Sequence, residues 1–221
     1  MSHRGQIRAL IKGRAPKRTY IIYLIILLGF FTMCLLLSIL SYPLPFSFGD
    51  TWISELGDPT KNIVFGFLIF DIGFILASIG LIPVFLNFYY RLSSFHPIIR
   101  KILLGLWLLG DVCFGSIGIL HDKMQPIHDI FSGIAFGCLS IGFLVQWGVH
   151  IYYALKQKTS QSLLAISLSI GQLALFWISL FAIPVRNNIE FMDFAPWEWV
   201  GTLSIILTIF LCSVILPPKE P

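Results

Sequence analysis

Histidine and aspartate residues form two adjacent pairs in one short polar segment. His121-Asp122 and His128-Asp129 lie on either side of Pro126. An imidazole beside a carboxylate can bind zinc, with the carboxylate as a ligand or as the group that orients the ring. The same groups suit acid–base catalysis on a lipid headgroup. All four are therefore candidate catalytic residues, and His121 and His128 are candidate metal ligands.

A simpler interpretation of this segment is a polar turn. Asp122 and Asp129 are suited to capping helices. The spacing of the two histidines matches no established metal motif, because the chain has no His-Glu-x-x-His sequence. Both interpretations stay open on the sequence alone.

Polar residues from two other segments are candidates to complete this site. Glu55 is a further catalytic candidate, and Ser54 and Asp50 lie in the same segment, between residues 41 and 61. Glu198 comes from a second polar segment, residues 186–199. Ser54, Asp50 and Glu198 are assigned as binding candidates.

Two carboxyl groups lie inside apolar stretches. Asp71 and Asp111 would each lie roughly 14 Å from a helix end, because a helix rises about 1.5 Å per residue. Ionisable residues at that depth are costly and often functional. We predict that they share a proton or a hydrogen bond, with Gln146 as a third binding candidate. Ser78 and Gln172 are further partner candidates, and a structural clasp between helices is the alternative.

Long apolar stretches must position these residues. The 221 residues are 57% hydrophobic and 12% charged, and the mean hydropathy is +0.85. Six stretches approach the roughly 20 apolar residues that cross a bilayer as a helix. The predicted fold is all-α, a polytopic membrane protein with a bundle of six transmembrane helices in residues 19–217. The helices are predicted near 19–42, 59–90, 100–121, 126–155, 161–184 and 197–217.

The basic residues indicate how this bundle is oriented. All of them except Lys61, Lys123 and Arg186 lie in segments that share one side when the chain crosses six times. The positive-inside rule therefore predicts that residues 1–18 and the tail 218–221 are cytoplasmic, in the plasma membrane. The basic arm 1–18 is interpreted as a topology signal with some affinity for anionic lipid, and not as a nucleic-acid site.

Periodicity predicts which residues share helix faces. Asp111, Gly115, Gly118 and Asp122 fall on one face of the third apolar stretch. A comparable stripe in the fourth stretch runs from His128 to Gln146. We predict that the two stripes line a shared cleft that opens outward. In the first outer loop we predict a short interfacial helix that Gly57 closes in the left-handed conformation. Trp197 and Trp199 are predicted to form an interfacial belt.

The motifs resemble those of a known family. Trp52-Ile53-Ser54-Glu55-Leu56-Gly57, then Gly115-Ser116-Ile117-Gly118-Ile119-Leu120, then Ile127-His128-Asp129 are similar to the DUF family numbered 998. A more distant likeness is to the FRAG/DRAM/SFK group of six-helix membrane proteins. The resemblance marks Ser54, Glu55, Gly57, His128 and Glu198, although Trp199, Val200 and Gly201 stand where it implies an arginine. It implies a six-helix architecture and a link to lipid remodelling or distribution.

Three functions fit these observations. The leading hypothesis is an outward-facing polar pocket that binds or handles lipid or a small amphiphile. The first alternative is an intramembrane, metal-dependent lipid hydrolase or transferase that uses the outer histidines and aspartates, with zinc as its cofactor. The second is a proton-coupled transporter that uses Asp71 and Asp111. Membrane lipids are the predicted partners, and neither a soluble protein partner nor nucleic acid is indicated.

Overall fold

A computed structural model describes residues 3–12, 14–43, 45–93, 95–120, 124, 126–157 and 195–215, together with residues 167, 170, 171 and 174. These ranges contain helices and no strand. The predicted helix 161–184 lies almost entirely outside them. The α-helices are α1 His3–Ile11, α2 Lys17–Leu40, α3 Val64–Arg91, α4 Pro97–Ile117, α5 Ile127–Gln157 and α6 Pro196–Ile215, and a 3₁₀ helix spans Ser54–Gly57.

Three of these helices contain spans that are long and apolar enough to cross a membrane. They are Lys17–Leu40, Val64–Arg91 and Ile127–Gly148. Glu198–Val214 is also apolar but shorter. α4 carries Arg100, Lys101 and Asp111, which lower its hydropathy. The helices thus support a membrane protein.

Glycines allow consecutive helices to pack closely. A Cβ added at Gly73 of α3 would lie 2.7 Å from the Cβ of Cys34 in α2. One added at Gly115 of α4 would lie 2.7 Å from the Cβ of Ser78 in α3. Gly110 has a similar fit, with its added Cβ 3.1 Å from the Ala135 carbonyl oxygen of α5. The helices α2 to α5 therefore pack each against the next.

These contacts correct the predicted cleft between α4 and α5. Gly115 and Gly118 face α3, where their added Cβ atoms would meet Ser78 and Phe74. It is Gly110, outside the predicted stripe, that faces α5. The α4 stripe is a packing surface against α3 because small residues there permit close approach.

Basic residues gather at one end of the described bundle, which we call the basic end. The Lys17 ammonium donates to the carbonyl of Val214 at 2.6 Å, which joins the start of α2 to the end of α6. The Arg91 guanidinium lies 5.2 Å from the ring centre of Tyr20, which joins the end of α3 to the start of α2. The opposite end, which holds the 3₁₀ helix, the start of α5 and the start of α6, is the site end.

Candidate functional site

Ser54 and Glu198 meet at the site end. The Ser54 main-chain N–H donates to Glu198 Oε2 at 3.1 Å, and its hydroxyl lies 3.2 Å from the same oxygen. The serine belongs to the 3₁₀ helix and the glutamate to the first turn of α6. Because both side chains are buried, this contact fixes the loop between α2 and α3 to α6 without competition from water.

His128 lies on the other side of Glu198. Its Nδ1 is 2.6 Å from the Leu120 carbonyl oxygen, and its Nε2 is 3.4 Å from Ser132 Oγ and 3.7 Å from Glu198 Oε1. His128 and Ser132 are one helical turn apart in α5, so they share a face. We call Ser54, His128, Ser132 and Glu198 the polar cluster. His128 is only 3% exposed and Glu198 only 4%, so the cluster is closed over rather than open to the outside.

The 3₁₀ helix is held in place by buried hydrogen bonds. The Asn62 side-chain amide donates to the Leu56 carbonyl at 2.8 Å and to Ser38 Oγ at 3.1 Å. Gly57 lies against α3, where an added Cβ would be 2.6 Å from the Phe70 ring. The left-handed conformation predicted for Gly57 is absent, so the glycine is needed for its size and not for its backbone angles. These contacts turn Ser54 toward α6.

Trp199 of α6 also anchors the loop between α2 and α3. Its indole N–H donates to the Thr51 carbonyl at 2.8 Å, and the rings of Phe46 and Phe48 pack edge-on against it. Trp199 is buried, which corrects its predicted place in an interfacial belt. The side chain of Trp197 lies outside the described part of the structure.

Glu55 does not join the polar cluster, contrary to prediction. Its carboxylate forms an ion pair with Lys61 at 2.7 Å and accepts a hydrogen bond from Tyr42 at 3.1 Å. Burial, followed by the charge of Glu55, raises the pKa of Tyr42, so the phenol stays protonated and donates. Glu55 is a structural clasp of the loop because its oxygens are already bound.

Two predicted aspartates also stay outside the cluster. Asp50 is exposed and accepts a hydrogen bond from Ser47 at 2.9 Å within its own turn. Asp129 is partly buried in the first turn of α5, where a negative charge suits the helix dipole. Since α5 already begins at Ile127, Asp129 lies inside the helix, and the capped-turn interpretation of this segment stays a prediction.

The zinc prediction rests on residues only partly described. His121 and Asp122 lie outside the described residues. Within the described ranges, no three His, Cys, Asp or Glu side chains converge as a metal site would require. His128 and Glu198 are the described pair that has the right donor types.

Asp71 and Asp111 do not form the predicted hydrogen bond. Asp111 is 1% exposed, and neither of its carboxyl oxygens has a hydrogen-bond partner among the described residues. The Ser78 hydroxyl donates to the main-chain carbonyl of Asp111 at 2.9 Å. The backbone of Asp71 in α3 lies beside Gly118, which is about two helical turns along the chain from Asp111, so the two aspartates lie at different levels of the bundle.

Gln146 is buried on α5 but is remote from Asp111. Gly142 of α5 packs against Trp107 of α4. From that contact Gln146 lies one turn toward the basic end, whereas Asp111 lies one turn toward the site end. The structure therefore does not bring Gln146 to the carboxyl that it was predicted to bind.

The polar cluster has one unusual electrostatic feature. A carbonyl oxygen can only accept, so the hydrogen bond to Leu120 requires the proton on His128 Nδ1. In the neutral ring, Nε2 is then an acceptor that faces the acceptor Oε1 of Glu198. The two atoms at 3.7 Å share no hydrogen bond, and each already has a hydroxyl beside it: Ser132 Oγ lies 3.4 Å from Nε2, and Ser54 Oγ lies 3.4 Å from Oε1. A proton on the ring, a further hydroxyl or an amine would bridge the two atoms directly.

Three contributors to this site are not predicted from the sequence. Ser132 falls in the stripe of polar and small residues from His128 to Gln146, and its spacing from His128 is the signal that places both on one face. Ser38 and Asn62 gave no signal because single polar residues at the ends of apolar stretches are common. Their role depends on the position of the Leu56 carbonyl.

Comparison of the chain with protein-family models, with curated proteins and with solved structures gives no match. The polar cluster is therefore the basis for a functional proposal.

Proposed function

We propose that this chain is an integral membrane protein of six transmembrane helices whose polar cluster binds the polar end of a lipid or another small amphiphile. The observation that carries the proposal is the 3.7 Å separation between His128 Nε2 and Glu198 Oε1, both on buried side chains. The two atoms are too far apart to bond each other, and a ligand donor placed between them would hydrogen-bond to both. Both termini would be cytoplasmic and the cluster would lie near the outer face of the plasma membrane.

The hydrogen-bonding groups of His128 and Glu198 indicate the class of ligand. Two facing acceptors favour a group that donates hydrogen bonds, such as a hydroxyl or a primary amine. The side chains of Ile127 and Ile130, in the first turn of α5, are exposed beside His128. They offer an apolar surface for the remainder of an amphiphile. An uncharged lipid with free hydroxyl groups satisfies both conditions.

Native mass spectrometry of the purified protein tests this proposal. The protein is incubated with a monoacylglycerol or with the fatty-acid methyl ester of equal chain length, which lacks hydroxyl donors. We expect retention of the monoacylglycerol alone, and its loss in Glu198→Gln and His128→Ala. Ser116→Ala is the matched control, because this partly buried serine donates to the Val112 carbonyl of its own helix, at 2.8 Å. Equal retention of both lipids, or no effect of the two variants, would exclude the proposal.

A hydrolase or transferase is the first alternative. His128 Nε2 lies 3.4 Å from Ser132 Oγ, and the contact of Nδ1 with Leu120 orients the ring as a general base requires. The same incubation distinguishes this function, since a hydrolase would release free fatty acid from the monoacylglycerol in a His128-dependent manner. A zinc enzyme would also contain near-stoichiometric metal that a His121→Ala/His128→Ala variant lacks.

A proton-coupled transporter is the second alternative. It is favoured by Asp111, whose carboxyl has no hydrogen-bond partner in the described part of the chain. Transport would depend on Asp71 and Asp111 more strongly than on His128. The monoacylglycerol experiment separates the two functions because the Asp111 carboxyl makes no hydrogen bond to the polar cluster in the described part of the chain.

We also propose that the chain is related to the DUF family numbered 998. Support comes from the residues that carry the resemblance. Ser54, Gly57, His128 and Glu198 all lie at the site end, and each makes a specific contact there. A shared motif of this kind is expected where several segments build one site.

A further inference from the structure

The short helix α1 exposes a face that combines apolar and basic residues. Arg4, Arg8 and Lys12 are exposed at successive turns, and Ile7 and Ile11 are 57% and 60% exposed beside them. This is the i, i+3, i+4 spacing of one helix face. We call these five residues the α1 face. Two large apolar side chains exposed in a row, bordered by three cations, need a partner that is both apolar and anionic.

The opposite side of α1 is already occupied. Leu10 packs against the buried core that α2 and α3 share. The chain then turns, with the Arg14 N–H donating to the Ala9 carbonyl at 2.7 Å, and the Arg14 guanidinium lies 4.6 Å from the Tyr90 ring centre. Because Tyr90 is near the end of the membrane-spanning helix α3, α1 is held where that helix leaves the bilayer.

We propose that the α1 face binds the headgroups of anionic lipids, with Ile7 and Ile11 inserted among the first carbons of the acyl chains. Amphipathic helices with basic polar faces bind membranes in this orientation. Arg18 is exposed nearby and adds to the positive charge. Each basic residue near an anionic surface strengthens binding roughly fivefold. The inference is independent of the polar cluster, which lies at the other end of the bundle.

Hydrogen–deuterium exchange of the full chain in nanodiscs tests this inference. One set of discs contains only phosphatidylcholine, and the other contains phosphatidylcholine with phosphatidylglycerol. We expect the amides of residues 5–11 to exchange at least roughly tenfold more slowly in the anionic discs. Arg4→Gln/Arg8→Gln/Lys12→Gln should abolish this difference. Arg100→Gln/Lys101→Gln removes charge from the same end outside α1 and should preserve it.

The remaining outcomes overturn the proposal. Equal protection of the amides of residues 5–11 from exchange in both kinds of disc would show a contact that does not require anionic lipid. Equal protection in detergent without lipid would show that α1 is held only by the protein. Protection that appears only when an acidic peptide is added would identify a protein partner instead. The exchange of α2 and α3 reports in each sample whether the variant has kept its fold.

Discussion

At the scale of single residues, one acceptor joins segments that are far apart in the sequence. Glu198 receives the main-chain N–H of Ser54 at 3.1 Å, and the Ser54 hydroxyl lies 3.2 Å away. The main-chain bond is the firmer one, since 3.2 Å is long for an O–H···O hydrogen bond. Removing the carboxylate therefore leaves a buried N–H unsatisfied, whereas removing the serine hydroxyl does not.

This asymmetry predicts unequal losses of stability. Glu198→Ala should lower the free energy of unfolding by about 2–3 kcal/mol, and Ser54→Ala by about 1 kcal/mol. The double variant should lose less than the sum, because both changes remove the same hydroxyl contact. Unfolding in mild detergent titrated with dodecyl sulfate measures all three. The losses in unfolding free energy for Ser116→Ala and Glu198→Ala should be additive. Additive losses for Ser54→Ala and Glu198→Ala would contradict the contact between these two side chains.

Single residues also show which parts of the site cannot be predicted from the sequence. The sequence indicates Ser54, His128 and Glu198 as candidates, but it indicates adjacent Glu55 and nearby Asp50 as well. A 3₁₀ helix turns about 120° per residue, so neighbours in sequence point in different directions. Ser54 therefore reaches α6 while Glu55 reaches Lys61. Only the position of the loop on the bundle shows that Ser54 belongs to the polar cluster and that Glu55 does not.

At the scale of elements, the 3₁₀ helix depends on a close fit against α3. Gly57→Ala would place a carbon 2.6 Å from the Phe70 ring, and Phe70 is itself buried. We expect a loss of about 1–3 kcal/mol in the free energy of unfolding, because an overpacked core must shift to relieve the overlap. The displaced 3₁₀ helix should also weaken lipid retention at the polar cluster.

A glycine in α2 provides the matched control. A Cβ added at Gly29 would have no neighbouring atom within 4 Å among the described residues. Gly29→Ala should therefore be neutral or stabilise the protein by up to about 1 kcal/mol, since alanine favours the helix. If the two variants were equally stable, the 3₁₀ helix would not pack on α3 as described.

Helix faces illustrate what periodicity determines and what it does not. The spacing correctly places Gly115 and Gly118 on one side of α4. It does not say which neighbour that side meets, and the glycines pack against α3 instead of forming a cleft with α5. Apolar length located α2 to α6 but not α1. The helix α3 begins at Val64 and not near residue 59, because Asp58 and Asn62 form a hydrogen-bonded turn first.

At the scale of the whole molecule, charge separates the two ends. The basic end carries the α1 face, and the site end carries the polar cluster and the ion pair between Glu55 and Lys61. Anionic lipids are concentrated in the cytoplasmic leaflet, so the α1 face can bind them there only if the basic end is inside.

Labelling of single cysteines with a membrane-impermeant maleimide tests this orientation. Asp50→Cys lies at the site end and Ser93→Cys in the turn between α3 and α4 at the basic end, and both positions are exposed. Intact cells should label only Asp50→Cys, and permeabilised cells should label both. The wild-type protein is the background, since Cys34, Cys113 and Cys212 are buried and Cys138 is partly buried. Labelling of Ser93→Cys in intact cells would place the α1 face outside, where anionic lipid is scarce. That result would remove the basis for lipid binding by α1. It would leave the geometry of the polar cluster unchanged.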